Sequence, residues 1–103
     1  MVFQFDEALY IRFKLENDMA KMIASAFVGN GSLRLYLNNE LVIKDSDSIL
    51  VDVEENEDHI VHWFVSGRGP YSITISSPKE AEFQLTKMVS SAGKDIDSFS
   101  FRL

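Results

Sequence analysis

The feature that most constrains this chain is a hydrophobic period of two that recurs along its length. Apolar and polar residues alternate in the segments 3–15, 33–37, 49–53, 71–75 and 99–103. In a strand, alternation places every second side chain on the same face, so that one face is buried and the other meets water. No run of about 18 apolar residues, the minimum for a membrane-spanning helix, interrupts this pattern. The pattern predicts an all-β fold.

Turn-forming residues separate the alternating segments. Glycine or asparagine, which tolerate positive φ, occur at Gly29-Asn30-Gly31, Asn38-Asn39 and Gly67-Arg68-Gly69-Pro70. Strands at intervals of about 8–12 residues, bounded by turns, are typical of sandwiches and barrels. We therefore predict that residues 1–103 form one domain, an antiparallel β-sandwich of about seven strands of immunoglobulin-like or jelly-roll type.

Two segments fit either a helix or a strand. Residues 19–28 have apolar side chains at helical spacing, and Ser77-Pro78-Lys79-Glu80 resembles a capping box with proline at the first helical position. In residues 78–92, however, Ala81, Phe83 and Leu85 alternate with polar residues. We predict strands in both segments because two more strands complete a sandwich. The alternative is a compact α+β domain with helices near residues 19–28 and 78–92.

Residues 59–66 are apolar at both odd and even positions, which predicts a strand buried on both faces. Trp63 is then a core residue. His59 is predicted to end the strand in solvent, and His62 to be a partly buried packing residue. Their odd spacing directs the two imidazoles to opposite faces of a strand, so they are not expected to share a metal ion.

Several chemistries lack the residues they need. The 10 Lys and Arg against 16 Asp and Glu give a net charge of −6, which argues against a nucleic-acid partner. The chain has no cysteine, so disulfides and thiolate chemistry are excluded. Asp45 and Asp47 lack the glycine and glutamate of a helix-loop-helix calcium site, and a solvated loop is the simpler interpretation. No phosphate loop or serine-nucleophile motif occurs. We predict no enzyme, no metal and no cofactor.

Cations and tyrosines mark the candidate ligand-binding surface. If the apolar odd positions face inward, Tyr10, Arg12, Arg34 and Tyr36 share the outer side of two strands. Tyrosine and arginine are favoured at binding surfaces because they combine a large contact area with a polar group. The loop carrying Arg68 and Tyr71 is a second candidate. Simple cross-strand pairing that covers the sheet is the structural alternative.

These observations predict a non-catalytic binding module whose ligand is a protein surface or a carbohydrate. A structural domain that self-associates through its edge strands is the alternative, and a small hydrolase using His62 is less favoured. No membrane partner is expected.

The first residues include Asp6 and Glu7, where a signal peptide needs cations. The expected location is the cytoplasm, or an extracytoplasmic compartment if a leader has been removed.

Overall fold

The computed structural model describes residues 19–103, which form two antiparallel four-stranded sheets packed together. The all-β sandwich predicted from the alternation is confirmed, while the immunoglobulin-like or jelly-roll assignment stays a prediction. The strands are β1 (Met19–Val28), β2 (Gly31–Leu37), β3 (Glu40–Lys44), β4 (Asp47–Glu54), β5 (Asp58–Gly67), β6 (Pro70–Ser77), β7 (Phe83–Met88) and β8 (Lys94–Arg102). One 3-10 turn, Lys79–Ala81, precedes β7. No helix in residues 19–103 has the length and apolar character needed to cross a membrane.

The strands are divided between the two sheets in a fixed order. Sheet A has the order β4-β1-β6-β7, and sheet B has the order β3-β2-β5-β8. Every paired strand is antiparallel to its neighbour. Strands β2 and β5 therefore form the centre of sheet B, and β8 pairs with β5 although about 30 residues separate them in sequence. This pairing positions the surface described below.

The core lies between the inward faces of the two sheets, as the period of two requires. Alternate residues of each central strand are buried in this core. Most of the buried side chains are aliphatic, and a few are large rings. Its largest fully buried side chains are Trp63, Tyr71, Met22, Leu33, Leu35, Ile43, Ile73, Ile75, Val61 and Val65. Half-buried rings extend the core toward the β7 and β8 edge, where Phe83 stacks on Phe99 with ring centroids 4.6 Å apart.

Both ambiguous segments contain strands. In β1, Met22, Ala24 and Ala26 are buried while Ile23 and Phe27 are exposed, so the period of two overrides the helical spacing. The reason is tertiary: β4 and β6 pair with the two edges of β1 and supply its backbone hydrogen bonds. In residues 78–92, the helix-like start yields only the 3-10 turn, and β7 follows.

Two glycines let β2 and β5 approach closely at one end of sheet B. Gly31 and Gly67 are ladder partners with φ values of 142° and 126°. A Cβ atom on Gly31 would lie 2.0 Å from the Ser66 carbonyl oxygen, and one on Gly67 would lie 2.2 Å from the Asn30 carbonyl oxygen. No side chain fits at either position. The next ladder pair, Ser32 and Ser66, is consequently close enough for its hydroxyls to hydrogen-bond at 2.8 Å.

Two predictions for β5 were wrong. The strand is buried on one face only, because Val61, Trp63 and Val65 face sheet A while Phe64 remains 42% exposed. His59 does not end the strand in solvent; its side chain is buried and both ring nitrogens are hydrogen-bonded. Nε2 donates to the Glu54 carbonyl oxygen at 2.6 Å, and Nδ1 accepts from the Asn38 amide at 2.8 Å. The donor and acceptor roles follow from the partners, because a carbonyl oxygen only accepts and Asn38 uses its Oδ1 for the Ile60 amide.

Candidate binding face

The outer face of sheet B, called here the sheet-B face, is built from three ladder rows that cross β2, β5 and β8. Ladder partners in antiparallel strands project to the same side, so each row is a line of neighbouring side chains. The rows are Ser32–Ser66–Lys94, Arg34–Phe64–Ile96 and Tyr36–His62–Ser98, and Lys44 of β3 extends the middle row beside Arg34.

An aromatic cluster occupies the centre of the sheet-B face. The Tyr36 and His62 rings stack with centroids 4.9 Å apart and an interplanar angle of 7°. Phe64 meets both rings edge-on, at 5.8 Å from Tyr36 and 5.7 Å from His62. Stacked and edge-to-face pairs are the favoured arrangements of aromatic rings, so the cluster is a defined shape and not a set of independent side chains.

Three cations lie on one side of this cluster and lack acidic partners within residues 19–103. Arg34, Lys44 and Lys94 take part in none of the ion pairs of the described chain. In the described strands of sheet B, one carboxylate has a ladder position on this side, Asp58, and it pairs with Arg102 at 3.0 Å. The sheet-B face is therefore locally positive on a protein whose net charge is −6.

A cleft of about 320 Å³ opens at the Lys94 end of the sheet-B face. Arg34 lines one side, and Lys94 and Ile96 line the other. Phe64 and the paired hydroxyls of Ser32 and Ser66 lie between them. The cleft thus combines an apolar surface, two cations and a hydroxyl pair, and we call it the Arg34–Lys94 cleft.

Asp95 borders this cleft, but both of its carboxylate oxygens contact residues that do not line the cleft. Oδ2 accepts a hydrogen bond from the Tyr71 hydroxyl at 2.9 Å and lies 3.5 Å from Lys87 Nζ, while Oδ1 accepts from the Ser90 amide at 3.2 Å. The Tyr71 bond, with smaller help from Ser90 and Lys87, holds the pKa of Asp95 below its ordinary value. Burial, reinforced by the Asp95 carboxylate, raises the pKa of Tyr71 to about 12. The pair anchors the start of β8 to sheet A.

The predicted ligand-binding residues have different locations. Arg34 and Tyr36 lie together on the sheet-B face, on the side opposite the buried leucines of β2. Arg68 is exposed in the β5–β6 turn, where its amide donates to the Asn30 carbonyl. Tyr71 is 1% exposed and belongs to the core, so its side chain does not extend the Arg68 loop as a surface. Tyr10 and Arg12 lie outside the described residues.

Apart from Arg34 and Tyr36, the residues of the face were not predicted as binding residues, and the most important omissions are Phe64, His62, Lys94 and Ile96. Phe64 lies in the segment predicted to be buried on both faces, and Lys94 and Ile96 precede the C-terminal alternating segment 99–103. The alternation of Lys94 and Ile96 with Asp95 and Asp97 was a usable signal, since it extends the predicted C-terminal strand by several residues. The pairing of β8 with β5, which brings these residues beside Arg34, has no signal in the local sequence.

The two aspartates predicted to lie in a solvated loop have different surroundings, since Asp45 is half-buried in the turn after β3 and Asp47 begins β4. Asp45 Oδ1 accepts from the Leu33 amide at 3.0 Å, and Asp47 Oδ1 accepts from the Ser48 amide at 2.8 Å. Across residues 19–103, no three histidine or acidic side chains come together in a group that could hold a metal ion. His62 stacks on Tyr36 and has Phe64 as its other aromatic neighbour.

Comparison with known proteins yields no assignment. The chain matches no protein-family model, and no curated protein or solved structure is significantly similar to it. The sheet-B face is therefore interpreted from its own chemistry.

Proposed function

We propose that this protein is a non-catalytic binding module that docks a protein partner on the sheet-B face. The single observation that carries the proposal is the Tyr36–His62–Phe64 cluster, in which Phe64 is exposed and the other two rings are half-buried, next to cations without acidic partners in the described chain. Aromatic residues and arginine supply most of the binding energy at protein interfaces. Their concentration on one face of a small sandwich favours recognition.

The charge of the face selects the class of partner. Arg34, Lys44 and Lys94 attract acidic residues, and such complementarity accelerates encounter and excludes partners of like charge. The partner that fits is a protein segment in which acidic side chains adjoin apolar ones. The acidic groups meet the cations, and the apolar groups cover Phe64 and Ile96, which is 68% exposed.

A carbohydrate ligand fits the cluster less well. A sugar stacks on an aromatic ring whose face is turned to solvent. One face of Tyr36 is covered by His62, and its ladder neighbour on the other side is Leu41. One face of Tyr36 and one face of His62 are therefore unavailable for stacking on a sugar, and this favours protein side chains over a sugar ring.

Selection from a random peptide library against the immobilised protein tests the proposal. We expect enrichment of peptides with adjacent acidic and apolar residues. Phe64→Ser should weaken the binding of a selected peptide about tenfold or more, since buried interface aromatics cost this much or more when removed. Phe27→Ser is the matched control, because Phe27 is similarly exposed on sheet A.

The outcomes separate the candidate ligands. Equal losses for Phe64→Ser and Phe27→Ser would show that the peptides bind nonspecifically. Failure to enrich any peptide, together with binding of a glycan panel that Phe64→Ser abolishes, would replace the protein partner with a carbohydrate. Thermal midpoints of both variants, measured alongside, must remain close to that of the parent protein.

A further inference from the structure

We infer that the Arg34–Lys94 cleft binds a carboxylate side chain of the partner segment, with the adjoining apolar side chain packed on Phe64. This inference rests on the proposed function and names the anchor of that interface. At about 320 Å³, the cleft is at the lower end of the size range of ligand pockets and accommodates one or two side chains.

The ladder geometry places the two cations around the centre of the cleft. Arg34 is on β2 and Lys94 is on β8, with β5 between them, so the two backbones are about 10 Å apart across the sheet. Long flexible side chains from both strands can meet a single anion above β5. A guanidinium presents paired N–H donors that match the two oxygens of a carboxylate.

The serine pair supplies a further donor. Ser32 and Ser66 have two hydroxyl protons between them, and their mutual hydrogen bond of 2.8 Å uses one. The second proton is free to point toward an acceptor in the cleft. Ring and aliphatic surface from Phe64 and Ile96 lowers the local dielectric, and this strengthens a charge-assisted hydrogen bond.

Within residues 19–103, Asp95 is the carboxylate that borders the cleft, and it does not oppose this assignment. Asp95 accepts hydrogen bonds from Tyr71 and Ser90 and lies near Lys87, so its charge is compensated on the side facing sheet A. Asp97, two residues further along β8, is the ladder partner of the buried Trp63 and belongs to the opposite side of the sheet.

A matched pair of probes tests the carboxylate directly. Acetyl-Phe-Glu-amide and acetyl-Phe-Gln-amide differ only in the charged group. Titrated into the isotope-labelled full chain, the Glu probe should shift the backbone amide resonances of Ser32, Arg34, Ser66 and Lys94. The Gln probe should bind about three- to tenfold more weakly, the difference expected for a partly exposed charge-assisted contact.

Two glutamine variants locate the site. Lys94→Gln should weaken the Glu probe about three- to tenfold and leave the Gln probe unchanged. Arg102→Gln removes the same charge from the far end of the same strand and should change neither.

Each outcome decides one claim. Equal binding of the two probes at the cleft overturns the carboxylate anchor and leaves peptide docking on the sheet-B face intact. Shifts confined to other residues overturn the cleft as the site. Inorganic phosphate serves as the free-anion probe, and tighter binding of phosphate than of the Glu probe would overturn the assignment to a peptide carboxylate. If neither probe binds and no library peptide is enriched, both the anchor and the proposed function fail.

Discussion

The two faces of β5 carry similar residue types, but these residues differ in burial and in their partners. Each face has one histidine and one large ring: His59 and Trp63 point inward, whereas His62 and Phe64 point outward. The inner histidine is buried with both nitrogens bonded, and the outer one stacks on a neighbouring ring. Residue type alone therefore does not define the role of a side chain in this strand. The partners that the sheet order provides define it.

The comparison also explains why the outer face favours binding. Inside, sheet A covers the rings, and their burial contributes to stability. Outside, the Tyr36, His62 and Phe64 rings contact one another, and Phe64 remains 42% exposed within residues 19–103, so part of their apolar surface is available to a partner. Variants that separate loss of stability from loss of binding test this division.

The largest expected contrast lies between adjacent residues. Trp63→Ala should lower the free energy of unfolding by about 3–5 kcal/mol, the range for removing a large buried ring. Phe64→Ala should cost less than about 1 kcal/mol, because the ring is 42% exposed and loses only edge contacts. Urea unfolding followed by circular dichroism measures both.

Trp63→Phe is a useful control for the inner ring. Within residues 19–103 the buried Trp63 Nε1–H has no hydrogen-bond partner, so phenylalanine keeps most of the volume and removes an unsatisfied donor. We expect Trp63→Phe to cost clearly less than Trp63→Ala. Similar losses for Trp63→Ala and Phe64→Ala would show that the two faces are not energetically distinct.

The next contrast concerns the histidines. Asn38 has φ 49°, its Oδ1 accepts from the Ile60 amide at 3.0 Å, and its Nδ2 donates to His59. Asn38→Ala should cost about 2 kcal/mol, because it leaves a buried imidazole nitrogen without a donor and introduces strain at positive φ. Asn38→Gly also removes the side-chain hydrogen bonds but introduces no strain at positive φ. The difference in the free energy of unfolding between Asn38→Ala and Asn38→Gly therefore measures the backbone strain.

Tyr36→Ala is the corresponding change at the outer histidine. It removes the stacking partner of His62 and should cost less than about 1 kcal/mol. Thermal or urea unfolding of the three variants gives the order. A loss for Tyr36→Ala as large as that for Asn38→Ala would contradict the division into a structural and an exposed histidine.

The local sequence contained most of the fold but, of the candidate face, only Arg34 and Tyr36. Alternation located the strands, and it placed Arg34 and Tyr36 opposite the leucines of β2. It did not identify the exposed side of β5, because Ile60 and Phe64 are as apolar as Val61 and Val65, and period two is symmetric when both sides are apolar. That information lies in the sheet order.

Long-range pairing explains the other errors. The burial of His59 depends on Asn38, 21 residues earlier, which satisfies one of its nitrogens. Lys94 and Ile96 join Arg34 only because β8 pairs with β5. Such contacts between distant segments follow from how the whole sandwich assembles. A window of ten residues does not contain them.

The smallest contrast is between two tyrosines: Tyr71 faces the core from sheet A, and Tyr36 lies on the outer side of sheet B. Tyr71 is buried with its hydroxyl bonded to Asp95, and its pKa is raised from 10.0 to about 12. Below pH 10 the phenol is neutral in both the folded and unfolded chain, so its stabilising contribution is complete. Between pH 10 and about 12 the unfolded chain loses this proton first, and stability must fall. At the acid end, the pKa of Asp95 is lowered from 3.8, so its contribution is lost as pH falls below that value.

Tyr71→Phe should cost about 1 kcal/mol at neutral pH, the usual net value of one hydrogen bond. It should also flatten the loss of stability between pH 10 and 12, since the titrating group is gone. Tyr36→Phe removes a phenol from the outer face and should leave the free energy of unfolding at neutral pH close to that of the parent protein. Urea unfolding at a series of pH values measures the slope. If Tyr71→Phe left the slope unchanged, the alkaline loss of stability would not arise from Tyr71. If Tyr36→Phe cost as much as Tyr71→Phe at neutral pH, the separation between a structural inside and an available outside would not hold for the tyrosines.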